Sequence, residues 1–122
     1  FDALTELNPD IYAWIDMPGS IINYAVVQSG DKDEFYSDHA VDGSYYSGGS
    51  IFSQRYNKRD FSDPVTVLYG HNMRDGSMFQ NLHFFEDETF FAEHPEFFIY
   101  LPRLTTLQTP RILKNTELCI SI

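Results

Sequence analysis

The chain has 122 residues and a net charge of −10, with 18 acidic and 8 basic side chains, and it contains one cysteine. This length supplies a single hydrophobic core, and the 11 Phe, 8 Tyr and 1 Trp favour a packed domain over disorder. The negative charge repels phosphate backbones, so we expect no nucleic-acid partner. A lone cysteine excludes an internal disulfide and a cysteine-rich zinc site.

The first thirty residues predict a short helix followed by two strands. The stretch FDALTEL places apolar side chains at Phe1, Leu4 and Leu7, which is a helical spacing. The runs YAWIDM and IINYAVVQ are rich in β-forming residues and are separated by the turn residues Pro18, Gly19 and Ser20. This pattern predicts a hairpin or a corner.

The middle of the chain predicts one further short helix and two strands. The stretch DKDEFYSDHA is typical of a short helix, and a strand is expected at Ser50 to Phe52. The clearest strand runs from Val65 to Tyr69, where the apolar and β-branched residues show no alternation. An unbroken run of this kind predicts burial on both faces of the strand.

Helical signals follow in SMFQNLHFF, and Asp87 is placed to cap a helical turn through DETFFAEH. FFIYLP then reads as another strand. Short strands joined by turns, with helices confined to the connections, predict a mainly β fold, either a barrel or a sandwich.

The last twenty residues differ from the rest. All the aromatic residues lie in residues 1–102, where 5 basic and 17 acidic side chains are also found, whereas residues 103–122 carry 3 basic and 1 acidic. We therefore divide the chain into a domain over residues 1–102 and an atypical tail over residues 103–122. The tail is either a terminal strand with polar flanks or a segment foreign to the domain, and the composition favours the second.

Among four histidines, only His71 has a context that favours catalysis. His39, His71, His83 and His94 do not share the spacing of a metal site, so we expect no metal and no cofactor. His71 instead follows the predicted buried strand directly, Gly70 gives the backbone freedom to turn, and polar turn residues come next. Functional side chains favour such strand ends.

The successive stretches LNPDIYAWIDMPGSIINYAVVQS, GGSIFSQRYN and TVLYGHNMRDGSMFQNLHFF resemble the signatures of class B sortases. The resemblance covers residues 7 to 102, in the order and near the spacing of the family. The combination of YGHNM with DGSMF is its most specific part.

This resemblance implies a sortase-like β-barrel with short inserted helices and a cysteine transpeptidase on the extracellular face of the membrane of Gram-positive bacteria. Such an enzyme cleaves a sorting-signal peptide at a threonine and attaches the surface protein to a cell-wall amine. His71 matches the family histidine, which protonates the leaving amine, and Tyr69 would lie beside the substrate cleft or pack in the core. The full-length family member is expected to have a membrane anchor, which these residues do not include.

The family nucleophile lies in a TLxTC motif, and an arginine follows it on the next strand. Cys119 is preceded by Leu118 and by Asn115 where that motif has threonines, and only three residues follow it. The chain also starts at Phe1 instead of Met. We therefore expect a piece of a sortase with an incomplete barrel. Two hypotheses remain, a working transpeptidase and an inactive fragment that lacks the cysteine and the arginine; a third, an unrelated peptide-binding β-domain, does not explain YGHNM with GSMF.

Overall fold

The computed structural model describes residues 2–94, 96–102 and 117–121. Within these ranges, six strands form one sheet, and short helices lie in the connections. The strands are β1 (Ile11–Asp16), β2 (Asn23–Val27), β3 (Ile51–Phe52), β4 (Val65–Tyr69), β5 (Phe98–Tyr100) and β6 (Glu117–Ser121). The helices are α1 (Asp2–Leu7), α2 (Glu88–Glu93) and two 3-10 helices, Phe35–Ser37 and Gln80–Glu86.

The strand order in the sheet is β5-β1-β2-β3-β4-β6. Strand β1 pairs antiparallel with β2 and β5, β3 pairs antiparallel with β4, and the β2–β3 and β4–β6 pairs are parallel. The mainly β class is confirmed. In the described residues the sheet is open between β5 and β6, as expected for an incomplete barrel.

The hairpin of β1 and β2 forms where the turn residues predict it. The amide of Met17 donates to the carbonyl of Ile22 at 2.9 Å, and Gly19 between them has a φ of +88°. A Cβ at Gly19 would also lie 2.5 Å from the ring of His94. Glycine is therefore required at this turn both for its left-handed backbone and for the histidine that packs over it.

Buried side chains form one cluster on each side of the sheet. The larger cluster is centred on fully buried aliphatic and aromatic residues, among them Ile15, Ile22, Val26, Leu68, Phe79 and Ile99. The smaller consists of Ile11, Ala25, Val27, Tyr36 and Phe52, with Tyr69 at its margin. Both faces of the central strands are therefore covered, which explains why the sequences of β1 and β2 are nearly continuous in apolar residues.

The prediction that β4 is buried on both faces is wrong. Thr66 and Leu68 are fully buried, whereas Val65 is 42% exposed and Val67 is only half-buried. The cause is the small size of the second cluster, which reaches the end of β4 at Tyr69 and does not cover Val65. An apolar run identifies a strand, but the neighbouring elements decide how deeply each face is buried.

The helices are shorter and tighter than their sequences suggest. In DKDEFYSDHA only Phe35–Ser37 is helical, and Gln80–Glu86 is a 3-10 helix. The cap at Asp87 is confirmed, because its Oδ1 accepts the amides of Thr89 at 2.8 Å and Phe90 at 3.2 Å. None of the helices within the described ranges is long and apolar enough to cross a membrane.

Part of the predicted tail is a strand. Residues 117–121 form β6 along the outer edge of β4, while residues 103–116 lie outside the described part of the chain. The division at residue 102 therefore stays a prediction.

The buried hydroxyl of Thr66 is expected to destabilise the chain. Thr66 is fully buried in β4, and its Oγ1 has no hydrogen-bond partner among the described residues. A buried polar group without a partner costs about 1–3 kcal/mol, so Thr66→Val should raise the free energy of unfolding by about 1 kcal/mol in urea denaturation. Thr66→Ser, which keeps the hydroxyl and removes the methyl group, should lower it. A Thr66→Val chain less stable than the original would show that the hydroxyl is satisfied.

Candidate active site at the end of β4

His71 lies two residues beyond the end of β4, and Gly70 between them is held by packing. A Cβ at Gly70 would lie 2.5 Å from Cδ2 of Phe79 and 2.6 Å from Cδ1 of Ile51. Gly70 is not among the glycines with a positive φ. The sequence expectation that Gly70 serves a backbone turn is therefore corrected: glycine is required because two buried side chains fill the space beside it.

The loop of residues 71–79 is closed on itself. The amide of Phe79 donates to the carbonyl of His71 at 2.9 Å, and Asn72 and Met78 form an antiparallel bridge. Met78 has a φ of +57°, and its amide donates to the hydroxyl of Tyr24 at 2.9 Å. A left-handed backbone is costly for methionine and persists only where its surroundings fix it. The loop that carries His71 is thus an ordered structure.

The tip of this loop is a tight turn. Oδ1 of Asp75 accepts the amide of Ser77 at 2.9 Å and its hydroxyl at 2.6 Å, and Gly76 has a φ of +86°. The hydroxyl and then the amide of Ser77 hold the pKa of Asp75 below its usual range. The DG dipeptide that follows YGHNM therefore has a structural role in closing the loop.

The imidazole of His71 is exposed and is bonded to a neighbouring element. Its Nε2 lies 2.6 Å from the carbonyl oxygen of Ser37, the last residue of the first 3-10 helix. A carbonyl oxygen can only accept, so Nε2 is the donor. The contact joins the end of β4 to a segment 34 residues earlier in the chain.

Tyr69 lies at the same end of β4 and packs in the second cluster. Its ring stacks on Phe52 with centroids 5.1 Å apart, and its hydroxyl is 2.9 Å from that of Tyr56. The ring is half-buried, so it is fixed by packing on one side. Its role in substrate binding stays a prediction.

The backbone of Cys119 is offset from His71. In the parallel register of β4 and β6, Cys119 pairs with Val67, four positions before His71. With a rise of about 3.3 Å per residue in parallel strands, this register places the Cys119 backbone roughly 7 Å before the end of β4, and His71 lies two residues beyond that end.

The acidic stretch before the first 3-10 helix forms an ion pair. Nε of Arg55 lies 2.8 Å from Oδ1 of Asp33, and hydrogen bonding to Arg55 lowers the pKa of this carboxyl. In the part of the chain that the structure describes, no group of three or more His, Cys, Asp or Glu residues could hold a metal ion.

The surface also has a groove of about 370 Å³. Its lining is mainly apolar and comes from α1, β1, β2, residues 40–51 and the histidine loop, with Leu4, Trp14, Ala25, Val41, Ile51 and Met78 among the contributors. Neither His71 nor Tyr69 is part of the lining. The groove nevertheless adjoins the histidine loop, because Met78 of that loop and Gly49, next to the Ser37 carbonyl, are in its lining.

Comparisons with known proteins place these features in a family, although no protein-family model matches the chain. Sortase B of Listeria monocytogenes is 39% identical over 94 residues, which are 77% of this chain and 38% of that protein. The structure of sortase B from Bacillus anthracis in complex with AAEK1 has a TM-score of 0.75 and 39% identity, covering 81% of this chain and 47% of that one. A Streptococcus pyogenes class B sortase involved in pilus biogenesis has a TM-score of 0.76 and 31% identity, covering 90% of this chain and 69% of that one.

A mainly β sheet with these matches, in which a strand ends in a fixed histidine loop, has the architecture of a sortase. The chain belongs to the class B sortases. It spans less than half of the length of the curated relatives that it matches.

The tight packing at Gly70 predicts that Gly70→Ala destabilises the chain. Overpacking a core in this way costs about 1–3 kcal/mol, because Phe79 and Ile51 must move aside. Urea denaturation should show a loss in this range. Gly30→Ala is the matched control, since a Cβ there meets nothing within 4 Å, and its free energy of unfolding should be close to that of the original chain. An equal loss in both variants would refute the packing argument.

Proposed function

We propose that His71 is the proton donor of a class B sortase site and that the whole protein is a cysteine transpeptidase. The observation that carries this proposal is the position of His71: its imidazole is exposed at the end of β4, on a loop whose base is fixed by buried packing. Membership of the class B sortases supports the reaction type.

The reaction needs both a nucleophile and an acid. A cysteine thiolate attacks the carbonyl carbon of the sorting-signal threonine, and the bond from that carbon to the nitrogen of the next residue breaks, which leaves a thioester on the cysteine. An amine is a poor leaving group, so a proton must reach its nitrogen, and an imidazolium can deliver it near neutral pH. A cell-wall amine then attacks the thioester and releases the thiolate.

The substrates follow from the same family. We propose a sorting-signal peptide of a surface protein as the acyl donor and a cell-wall amine as the acceptor. Catalysis would take place on the extracellular face of the membrane. Tyr69 is the proposed substrate-binding residue, because it ends the same strand and its hydroxyl forms a hydrogen bond with that of another tyrosine.

A second proposal concerns the chain as it stands, which we infer to be inactive by itself. The register of β6 supports this inference, because Cys119 pairs with Val67, four positions before His71, and its backbone lies roughly 7 Å before the end of β4. The sequence around Cys119 also lacks both threonines of the TLxTC motif. These two observations are independent, and each argues that Cys119 is not the partner of His71.

Thiol labelling tests whether Cys119 pairs with His71. We expect Cys119 to react with an alkylating reagent at pH 7 at the rate of an ordinary thiol, whose pKa is about 8.5. His71→Ala should leave this rate unchanged, and Cys119→Ala should abolish labelling. Fast labelling that slows in His71→Ala would establish that His71 activates the Cys119 thiol. It would overturn the inference that the chain is inactive.

The coding DNA beyond residue 102, translated in all three frames, tests the function of the whole protein. We expect one frame to continue into a TLxTC motif and a later arginine. A chain with that continuation should transfer a sorting-signal peptide to an amine, and His71→Ala should slow the reaction by about 10²–10⁴-fold, the usual value of general acid catalysis.

His83→Ala is the matched control, because His83 is exposed and bonds only to Glu86 among the described residues. It should retain full activity. An extended chain that remains active without His71 would contradict the acid role. Peptide cleavage by the present chain that is lost in both His71→Ala and Cys119→Ala would contradict the inactive state.

A further inference from the structure

The hydrogen bond of His71 differs from those of the other histidines. His71 bonds through Nε2, to the carbonyl of Ser37. The other three histidines bond through Nδ1 in the described part of the chain. Nδ1 of His39 lies 2.8 Å from the Phe35 carbonyl, that of His83 lies 2.9 Å from Glu86 Oε1, and that of His94 lies 3.0 Å from the Phe90 carbonyl. Since each of these oxygens accepts, the bonded nitrogen carries the proton.

Gly49 leaves no room for a side chain beside the carbonyl of Ser37. Gly49 has a φ of +64°, and a Cβ on it would lie 2.6 Å from the carbonyl oxygens of both Tyr36 and Ser37. The next amide, that of Ser50, donates to the Tyr36 carbonyl at 2.9 Å. Any side chain larger than hydrogen at position 49 must therefore push these carbonyls away.

The residue before Ser37, Tyr36, is fixed by its buried ring and by its hydroxyl. The Tyr36 hydroxyl donates to Oδ2 of Asp10 at 2.7 Å and accepts from Nδ2 of Asn8 at 2.7 Å. The ring is 2% exposed, and burial is the largest of the effects that raise the pKa of Tyr36 to about 12. The phenol therefore remains a donor throughout the neutral range, and the residue before Ser37 is anchored to the segment just before β1.

We propose that Gly49 and Tyr36 are positioning residues that hold the Ser37 carbonyl against Nε2 of His71, fix the imidazole as its Nε2–H tautomer and assign proton transfer to Nδ1. The role of Nδ1 in proton transfer rests on the function proposed above. The tautomer itself is a property of this chain and can be measured without that function.

The proton balance follows from this tautomer. In the charged imidazolium both nitrogens carry protons, and the one on Nε2 is bonded to Ser37. When the leaving amine takes a proton, it comes from Nδ1, and the imidazole returns to the neutral form that the carbonyl already stabilises. The ring can thus release its proton without breaking its bond to the first 3-10 helix.

Nitrogen-15 NMR of the histidine rings tests the tautomer directly in the present chain. At a pH where the rings are neutral, His71 should have a protonated Nε2 and an unprotonated Nδ1, while His39 should show the opposite pattern and act as internal reference. A His71 ring that is mainly the Nδ1–H form would overturn the proposal.

Gly49→Ala tests the positioning role. With the carbonyl displaced, the minority Nδ1–H form of His71 should rise roughly tenfold, the factor that corresponds to 1.4 kcal/mol. Gly43→Ala is the matched control: Gly43 has a similar left-handed backbone, with a φ of +87°, but a Cβ there meets nothing within 4 Å. It should leave the His71 tautomer unchanged. An equal shift in both variants, or no shift in a folded Gly49→Ala chain, would refute the role of Gly49.

Tyr36→Phe keeps the ring and removes both hydrogen bonds of the hydroxyl. If Gly49→Ala does not fold, this variant tests whether the position of the Ser37 carbonyl fixes the His71 tautomer. The same change of the His71 tautomer is expected, and an unchanged ring would refute the role of Tyr36. These outcomes are independent of the sortase proposal. An extended chain that transfers no peptide would refute the proposed function and leave the tautomer of His71 untouched. A nitrogen spectrum of the present chain with the wrong tautomer would refute the positioning roles and leave the proposed function untouched.

Discussion

The contact between the ring of Phe79 and the backbone at Gly70 is the constraint on which the His71 site depends. Phe79 is fully buried in the larger cluster, and its amide also closes the loop by donating to the carbonyl of His71. One residue therefore joins the core, the end of β4 and the base of the histidine loop. Because close-packed interiors transmit strain, a change in the core beneath Phe79 would also displace His71.

The sequence predicted most of the sheet because its strands have a strong local signal. The β-branched run that ends at Tyr69 gave both ends of β4, and the turn residues around Gly19 gave the β1–β2 hairpin. Burial of β4 was mispredicted, since it depends on how far the second cluster extends. The 3-10 geometry of Gln80–Glu86 could not be predicted either, because the spacing of apolar residues in a short segment does not distinguish an α-helix from a 3-10 helix.

The site was predictable to different degrees. His71 could be found from its place after a strand and from the YGHNM signature. Ser37 could not, because it acts through a backbone carbonyl, which every residue has. Gly49 lies in the stretch GGSIFSQRYN, but the need for glycine there comes from carbonyls that are distant in sequence. The need for glycine at position 70 also depends on tertiary packing, since the side chains that exclude a Cβ there, Phe79 and Ile51, are distant in sequence.

The parallel pairing of β4 with β6 has a consequence for the order in which the sheet assembles. The β1–β2 hairpin needs only a short turn, whereas β6 must return across residues 70–116 before it can bond to β4. Closing a longer loop costs more chain entropy and slows folding. We expect β6 to join later than the β1–β2 hairpin forms and to detach before it opens. Each detachment would uncover the hydrogen-bonding edge of β4, where a strand of another molecule could pair in its place.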